Sequence, residues 1–177
     1  MSSPFRTQAS PARIVCDDSG VRERTPEEDA TTDLQRLARG LAAGDLGAIA
    51  GSTAGRTAGL IAGLTAGVVA VGWATVDLER AAADLPDISF DFAPDDEAVA
   101  GRALIGHPGA VALVLMEPST EGRLAATLAR NGEGVAVIYQ TWRGLPPDGP
   151  AKMTPLGRPG RLVDPAQRWG PYRIVVE

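Results

Sequence analysis

The chain of 177 residues contains a single cysteine, Cys16, and a single histidine, His107. One thiol excludes a disulfide framework and is typical of a protein from a reducing compartment such as the cytoplasm. A metal site built on two or more Cys or His ligands would have to take them from another chain. These two shortages exclude most metalloenzymes that act as a single chain.

The sequence also has no excess of positive charge and no long apolar run near its start. The formal net charge is −5, whereas nucleic-acid binding requires a basic face, so nucleic acid is excluded as the main partner. The first 30 residues contain no apolar run of signal-peptide length. Residues 1–24 are rich in Ser, Pro, Arg and Asp, and this composition predicts a flexible tail.

The most regular feature of the sequence is a repeat of four residues, AGSTAGRTAGLIAGLTAGVV (50–69), in which each glycine follows an alanine. In a helix this period creates a face with almost no side chains, which lets another backbone approach closely. The repeat therefore predicts a glycine-zipper helix whose small residues form an oligomer interface. The predicted interface consists of Gly51, Gly55, Gly59, Gly63, Gly67, Ala58, Ala62 and Ala66.

The opposite side of this helix becomes apolar toward its end, and no residue from Thr57 to Val76 is charged. Twenty uncharged residues match a bilayer span in length, but Gly, Ala and Thr supply little transfer free energy. Several packed copies would form a bundle or tube with an apolar stalk. The predicted stalk residues are Leu60, Ile61, Leu64, Val68 and Val69. The alternative is that the helix packs on its own domain and that VVAVGWATV (68–76) is a core strand.

An amphipathic helix is predicted before the repeat. TPEE (25–28) has the composition of a capping box with proline at the first helical position, and Thr31 or Thr32 is an alternative start. Leucines at positions 34, 37 and 41 then fall on one face of a helix that extends to about residue 43. Gly44–Asp45 ends this helix, or Asp45 caps a second one.

The second half has the pattern of a small mixed domain. DISFDF (87–92) alternates as a strand, and AVALVLM (110–116) and GVAVIYQ (134–140) are typical of buried strands. Asp77 caps one predicted helix, and Ser119 or Thr120 caps another. The last 34 residues are rich in Pro and Gly and end in the strand PYRIVVE (171–177).

The predicted fold class is α+β. It comprises the tail (1–24), a helical oligomerisation or stalk segment (25–70), a small α+β domain (71–143) and a Pro/Gly-rich arm (144–177).

The stretch VALVLMEPSTEGRLAATLARNGEGVAVIYQ (111–140) resembles the middle of the vicinal-oxygen-chelate superfamily, which includes glyoxalases and acyl-CoA epimerases. It shares a strand ending in Glu-Pro, a short helix, a Gly-Glu-Gly turn and a strand that opens a second βαβββ module. VGWATVDLERAAADL (71–85) is similar to the strand and helix that open the first module. The second module is too short to complete a cleft within one chain.

The positions at which the epimerases carry metal ligands are apolar in this chain. The histidines that follow the Gly-Glu-Gly turn correspond to Val135, Ala136 and Val137. The other histidine corresponds to the stretch 70–72, and the polar ligand before Glu-Pro corresponds to Val114. The resemblance therefore implies the superfamily's fold without its metal chemistry.

Other candidate chemical groups are weak. Glu117 and Glu133 could form a general acid–base pair, but we favour a helix-terminal charge and a turn residue. His107 precedes Pro-Gly and is expected in a loop. GSTAGRT (51–57) lacks the lysine and the spacing of a phosphate loop.

Three tryptophans are candidate partner anchors. Trp73 ends the uncharged run, where it would suit a membrane interface or the core of a first strand. Trp142 and Trp169 flank the Pro-rich arm, where they would hold it on a partner or on its own domain.

These features favour a non-catalytic scaffold that assembles larger enzyme subunits through a homo-oligomeric bundle. The organisation resembles the scaffold subunit of actinobacterial high-affinity hydrogenases, in which an apolar tube serves quinone. By this hypothesis the protein is cytoplasmic and peripheral at the inner face of the membrane. It has no metal or catalytic cofactor, although its lumen would suit menaquinone. The alternative is a vicinal-oxygen-chelate-type enzyme or ligand-binding protein that acts as a homodimer, and a third hypothesis is a simple homodimer with a packing helix.

Overall fold

The computed structural model describes the chain in seven stretches: residues 14–15, 22–23, 25–51, 67–119, 121–141, 148–163 and 170–177. The helices in these stretches are α1 (Pro26–Ala42), α2 (Gly47–Gly51), α3 (Leu78–Ala83) and α4 (Arg123–Asn131). The strands are β1 (Ile14–Val15), β2 (Arg22–Glu23), β3 (Val68–Ala74), β4 (Phe90–Asp96), β5 (Gly101–Gly106), β6 (Ala112–Pro118), β7 (Gly134–Thr141), β8 (Lys152–Met153), β9 (Pro159–Val163) and β10 (Tyr172–Val176). The fold is therefore α+β, as predicted.

Helix α1 begins at the predicted capping box. The hydroxyl of Thr25 accepts a hydrogen bond from the Glu28 amide at 3.3 Å, and the Glu28 carboxylate accepts one from the Thr25 amide at 3.0 Å. These bonds satisfy amides that the first turn leaves free. After α1 the chain turns at Gly44, whose φ is +72°. The Asp45 carboxylate then accepts a hydrogen bond from the Gly47 amide at 2.8 Å and starts α2.

Eight strands form one sheet in the order β4-β5-β6-β3-β7-β10-β9-β8. The two central strands, β3 and β7, are antiparallel to each other. β3 pairs in parallel with β6, and β7 pairs in parallel with β10. Since the outer strands follow in the same sequence on each side, the sheet consists of two halves with the same strand topology.

The two halves differ in their helices. In the first half, α3 connects β3 to β4 and buries Leu78, Ala81 and Leu85. In the second half only ten residues, 142–151, separate β7 from β8. Helix α1 lies against β6 and β7 and supplies the helical cover of this part of the sheet.

The side chains under α1 and α3 form what we call the outer cluster. Its members are Leu34, Leu37, Ala38, Leu41, Ile49, Val71, Trp73, Leu78, Ala81, Leu85, Val111, Leu113, Leu115, Val135 and Ile138. The predicted leucine face of α1 is therefore part of the core. Trp73 is 1% exposed and occupies the core position that was the alternative to an interfacial anchor.

The other face of the sheet forms the inner cluster. Its members are Ala70, Ala74, Ala98, Val99, Ala103, Ala112, Val114, Met116, Leu124, Ala136, Val137, Tyr139, Ile174 and Val176. Residues from both halves of the sheet meet here, because the sheet curls around this face into a nearly closed barrel.

The barrel closes where its two edge strands meet, at what we call the β4–β8 seam. The Glu97 amide donates to the Met153 carbonyl at 3.1 Å, and the Met153 amide donates to the Glu97 carboxylate at 3.2 Å. The Lys152 ammonium donates to the Glu97 carbonyl at 3.1 Å. The contacts of Glu97 with two residues of β8 thus join the ends of the sheet.

Most of the glycine repeat lies outside the described residues, so the zipper interface and the predicted domain boundaries stay predictions. The same holds for Trp142 and Trp169. The last described residues of the repeat are not helical, because Gly67 has a φ of +85° and Val68 begins β3. Val68 and Val69 belong to β3 rather than to a helical stalk, which agrees with the strand preference of β-branched residues. Within the described stretches, no helix is long and apolar enough to cross a membrane.

The packing of α1 predicts the effect of shortening a leucine. Leu37 is fully buried in the outer cluster, so Leu37→Ala should lower the free energy of unfolding by about 2–5 kcal/mol. Urea denaturation measures this change. The exposed neighbour Arg36 is the control, since Arg36→Ala should change stability by at most about 0.5 kcal/mol. Equal stabilities of the two variants would show that α1 does not pack on the sheet.

Candidate functional site

Except for Val135, the positions that the resemblance assigns to the epimerases' metal ligands meet on the inner face of the barrel. Gly72 of β3 pairs with Val114 on one side and with Val137 on the other, and Ala70 lies two residues away on the same face. The side chains of Ala70, Val114 and Val137 are fully buried. They offer hydrocarbon where a metal requires nitrogen, oxygen or sulfur.

The inner face therefore does not fit the metal of the superfamily. Val135 faces the outer cluster, and Ala136 adds only a methyl group to the inner one. Across the described stretches, no group of three or more His, Cys, Asp or Glu comes together that could hold a metal ion.

The inner face is also tightly packed around these positions. A Cβ atom added to Gly72 would lie 2.7 Å from the Met116 sulfur and 3.0 Å from Val137 Cβ. Such contacts are shorter than van der Waals contact, so any larger residue at Gly72 would displace its neighbours. The side chain of Met116, on the neighbouring strand β6, occupies the space next to Gly72.

The conspicuous polar feature of this face is a carboxyl–phenol pair. The Tyr139 hydroxyl of β7 donates to Asp96 Oδ2 at 2.5 Å, and both residues are fully buried. The Met116 sulfur lies 3.5 Å from the same hydroxyl. Asp96 Oδ1 accepts from the amides of Ala98 at 2.8 Å and Val99 at 3.2 Å. The pair therefore lies inside the barrel beside the apolar counterparts of the metal ligands.

A tight turn after β4 positions Asp96. The chain reverses between Asp96 and Gly101, and the Ala100 amide donates to the Asp96 carbonyl at 2.8 Å. Ala100 has a φ of +62°, a conformation that costs a non-glycine residue about 1–2 kcal/mol. Helix α4 anchors the turn, because the Leu124 amide donates to the Val99 carbonyl at 3.1 Å. The turn and α4 thus both fix the position of the Asp96 carboxyl group.

The environment shifts the pKa values of both groups upward. Burial raises the pKa of Asp96, although the hydrogen bonds from Tyr139, Ala98 and Val99 act in the opposite direction. Burial, followed by the negative charge of Asp96, raises the pKa of Tyr139 well above its ordinary value. The pair thus combines a carboxylate that is more basic than usual with a phenol that remains a hydrogen-bond donor at neutral pH.

The sequence did not single out this pair. Tyr139 and Asp96 are 43 positions apart, and Asp96 stands in an acidic stretch, PDDE, that looks like a solvated turn. The available signal was a tyrosine inside an otherwise apolar strand, because a buried phenol requires a hydrogen-bond partner.

The two glutamates considered as an acid–base pair bind elsewhere, around the start of α3. Glu133 accepts hydrogen bonds from the Thr75 hydroxyl at 2.8 Å and the Val76 amide at 2.9 Å, and it forms an ion pair with Arg80. Glu117 accepts from the Leu78 amide at 3.4 Å and from Arg102 at 2.8 Å. Both carboxylates thus fasten α3 to the sheet. His107 is exposed in the loop after β5, as expected.

Comparisons with known proteins identify the fold. No family model matches the sequence, and no curated protein does. A solved structure of methylmalonyl-CoA epimerase from Mycobacterium tuberculosis has a TM-score of 0.54 at 18% identity and covers 63% of this chain and 87% of its own. A variant of the Streptomyces coelicolor epimerase in complex with 2-nitronate-propionyl-CoA has a TM-score of 0.52 at 18% identity, with coverages of 63% and 96%. A hypothetical protein from Bacillus halodurans has a TM-score of 0.52 at 13% identity, with coverages of 62% and 92%.

These matches support the vicinal-oxygen-chelate resemblance and correct the main functional prediction. The matches contradict the prediction of a non-catalytic hydrogenase scaffold and the prediction that the protein is not an enzyme, because the solved structures with this fold include epimerases. The hydrogenase and quinone associations lose their support with it. The error arose from the weight given to the Gly-Ala repeat, whereas the strands after it determine the fold.

The contacts of Glu133 predict an acid-sensitive contribution to stability. Burial raises the pKa of this carboxyl, but the hydrogen bonds from Arg80, Val76 and Thr75 outweigh burial and leave the pKa lowered. The stabilisation is therefore complete above the ordinary glutamate pKa and is lost as the pH falls through the lowered value. Glu133→Gln should cost about 1–3 kcal/mol at neutral pH.

Urea denaturation at a series of pH values measures this effect. The difference between wild type and Glu133→Gln should shrink as the pH falls, because both side chains are then neutral. Glu79→Gln, at an exposed position of α3, is the control. A difference that stays constant down to acidic pH would contradict the role of the charge.

Proposed function

We propose that the protein is an enzyme of the vicinal-oxygen-chelate type that transfers a proton at the carbon next to a carbonyl group, acts as a homodimer and uses no divalent metal held by its inner face. The observation that carries this proposal is the inner face itself. It has the strand arrangement of the epimerase structures, yet hydrocarbon occupies the ligand positions and a buried carboxyl–phenol pair lies beside them.

The substrate class follows from the structures that share the fold. Two of them are methylmalonyl-CoA epimerases, and one is in complex with 2-nitronate-propionyl-CoA. Acyl thioesters of this kind carry an acidic hydrogen at the carbon next to the carbonyl. We therefore propose an acyl thioester as substrate and proton abstraction from that carbon as the reaction class.

One feature supports a homodimer. On the edge strand β4, the side chain of Phe92 is 94% exposed. Burying a large aromatic side chain is favourable by about 1.5–3 kcal/mol, which a second copy would supply.

A ligand-binding protein without turnover is the second candidate. The packing around Gly72 favours it, because the inner face has no room for a substrate unless the barrel opens. Such a protein would bind the thioester without exchanging its hydrogen.

One experiment separates these candidates. Native mass spectrometry of the purified full chain should give a dimer mass with no stoichiometric divalent metal. NMR in D2O should then show protein-dependent exchange of the α-hydrogen of methylmalonyl-CoA or propionyl-CoA, unaffected by EDTA. Binding without exchange would favour the ligand-binding protein. Exchange that EDTA abolishes, with metal restoring it, would overturn the metal-free proposal.

A further inference from the structure

We infer that Asp96 and Tyr139 are the proton-transferring pair of the barrel and that substrate reaches them by opening the β4–β8 seam. This inference rests on the proposed function and names the groups that would perform it.

Asp96 stands apart from the other carboxyl groups of the described stretches, because it is fully buried. A buried carboxylate is costly unless hydrogen bonds compensate for the lost water. Oδ1 is occupied by the amides of Ala98 and Val99, whereas Oδ2 accepts only the Tyr139 hydroxyl among the described hydrogen bonds. A carboxylate oxygen can accept more than one hydrogen bond, so Oδ2 retains a lone pair for a proton.

The step that this geometry supports is simple. The C–H bond next to the thioester carbonyl breaks, and its proton passes to Asp96 Oδ2. The electron pair of that bond forms a carbon–carbon double bond, and the π pair of the carbonyl moves onto its oxygen, which gives an enolate. The Tyr139 hydroxyl turns from Asp96 to the enolate oxygen and stabilises its negative charge as a hydrogen-bond donor. The reverse step returns a proton from Asp96 to the carbon, so solvent deuterium enters if Asp96 exchanges with water between the two steps.

The charged side chains next to the pair come from the turn after Asp96, from α4 and from β8. On α4, the Arg123 guanidinium donates to the Ala98 carbonyl at 3.3 Å. Glu97 follows Asp96 in the chain and directs its carboxylate to the Met153 amide, and Lys152 of β8 binds the Glu97 carbonyl. The raised pKa of Asp96 brings the carboxylate closer to the basicity that proton abstraction near neutral pH requires. The phenol of Tyr139 stays protonated in the same range.

A substrate can reach the buried pair only if the barrel opens. Near the pair, the β4–β8 seam has few hydrogen bonds to break. β8 is two residues long, and the described bonds across the seam all involve Glu97, the residue next to Asp96. Most neighbouring strands of the sheet share longer ladders, such as five pairs between β7 and β10, whereas β8 is held to β9 by two pairs. Breaking the Glu97 contacts would therefore uncover Asp96 while the rest of the barrel remains paired.

The pair is tested by α-hydrogen exchange in D2O with three variants of the full chain. Asp96→Asn should lower the exchange rate by about 10²–10⁴-fold because the base is lost. Tyr139→Phe should lower it by about 10²–10³-fold because a donor to the enolate is lost. Asp91→Asn, an exposed position on the same strand, is the control and should exchange like wild type. Thermal unfolding of each variant confirms that it is folded.

The pH profile distinguishes a chemical role from a structural one. The wild-type rate should rise with pH as Asp96 loses its proton. Tyr139→Phe removes a hydrogen bond that lowers the pKa of Asp96, so the midpoint of the residual profile should move to higher pH. An unchanged midpoint would contradict direct proton transfer by Asp96. This measurement also tests the pair if Asp96→Asn fails to fold.

The seam is tested by a reversible lock. In a Cys16→Ser background, Glu97→Cys and Met153→Cys place two thiols across the seam. Exchange should fall at least tenfold on oxidation and return on reduction, whereas the Met153→Cys single variant should not respond. A locked protein that exchanges at the reduced rate would overturn the access route.

The outcomes also distinguish a failure of the Asp96–Tyr139 pair from a failure of the proposed function. If wild type exchanges the hydrogen and folded Asp96→Asn exchanges it equally fast, the pair is wrong and the proposed function stands. If wild type catalyses no exchange, the proposed function is wrong and the pair falls with it.

Discussion

The antiparallel pairing of β3 with β7 is the interaction on which the rest of the structure depends. It joins two halves of identical strand topology, and each half is completed by a parallel partner, β6 or β10. Because the two strands lie at the centre, each of their faces is buried. Helices α1 and α3 cover the outer face, and α4 and the curled sheet cover the inner one. Gly72 lies between Val114 and Val137 without a Cβ, so the inner face packs closely at this point.

Local features of the sequence predicted local structure well. The capping box at Thr25, the leucine face of α1, the cap at Asp77 and the apolar strands are all present, because each depends on residues close in the chain. The β4–β8 seam and the Asp96–Tyr139 bond were not predictable, since they depend on how far the sheet curls. The interpretation of the repeat was less secure for a different reason: small residues alone do not specify what they contact.

The barrel combines a strand arrangement similar to that of the epimerase structures with an apolar interior. Ala70, Val114 and Val137 are apolar at the positions that the resemblance assigns to histidines and a polar ligand, so the chain avoids the cost of burying polar groups without a metal. One acidic group remains inside, held by two amides and a phenol. The hydrogen bonds of Asp96 and Tyr139 therefore lie in apolar surroundings, whose low dielectric constant strengthens them.

The position of α1 has a consequence for how the chain is made. α1 is synthesised early, yet the strands it covers follow much later, with Ala42 and Ala112 separated by 70 positions. Until β6 and β7 have emerged from the ribosome, the leucine face of α1 has no sheet to cover. Contacts between such distant segments close slowly, because loop closure precedes the gain from packing. The nascent polypeptide therefore exposes the apolar face of α1 for much of its translation.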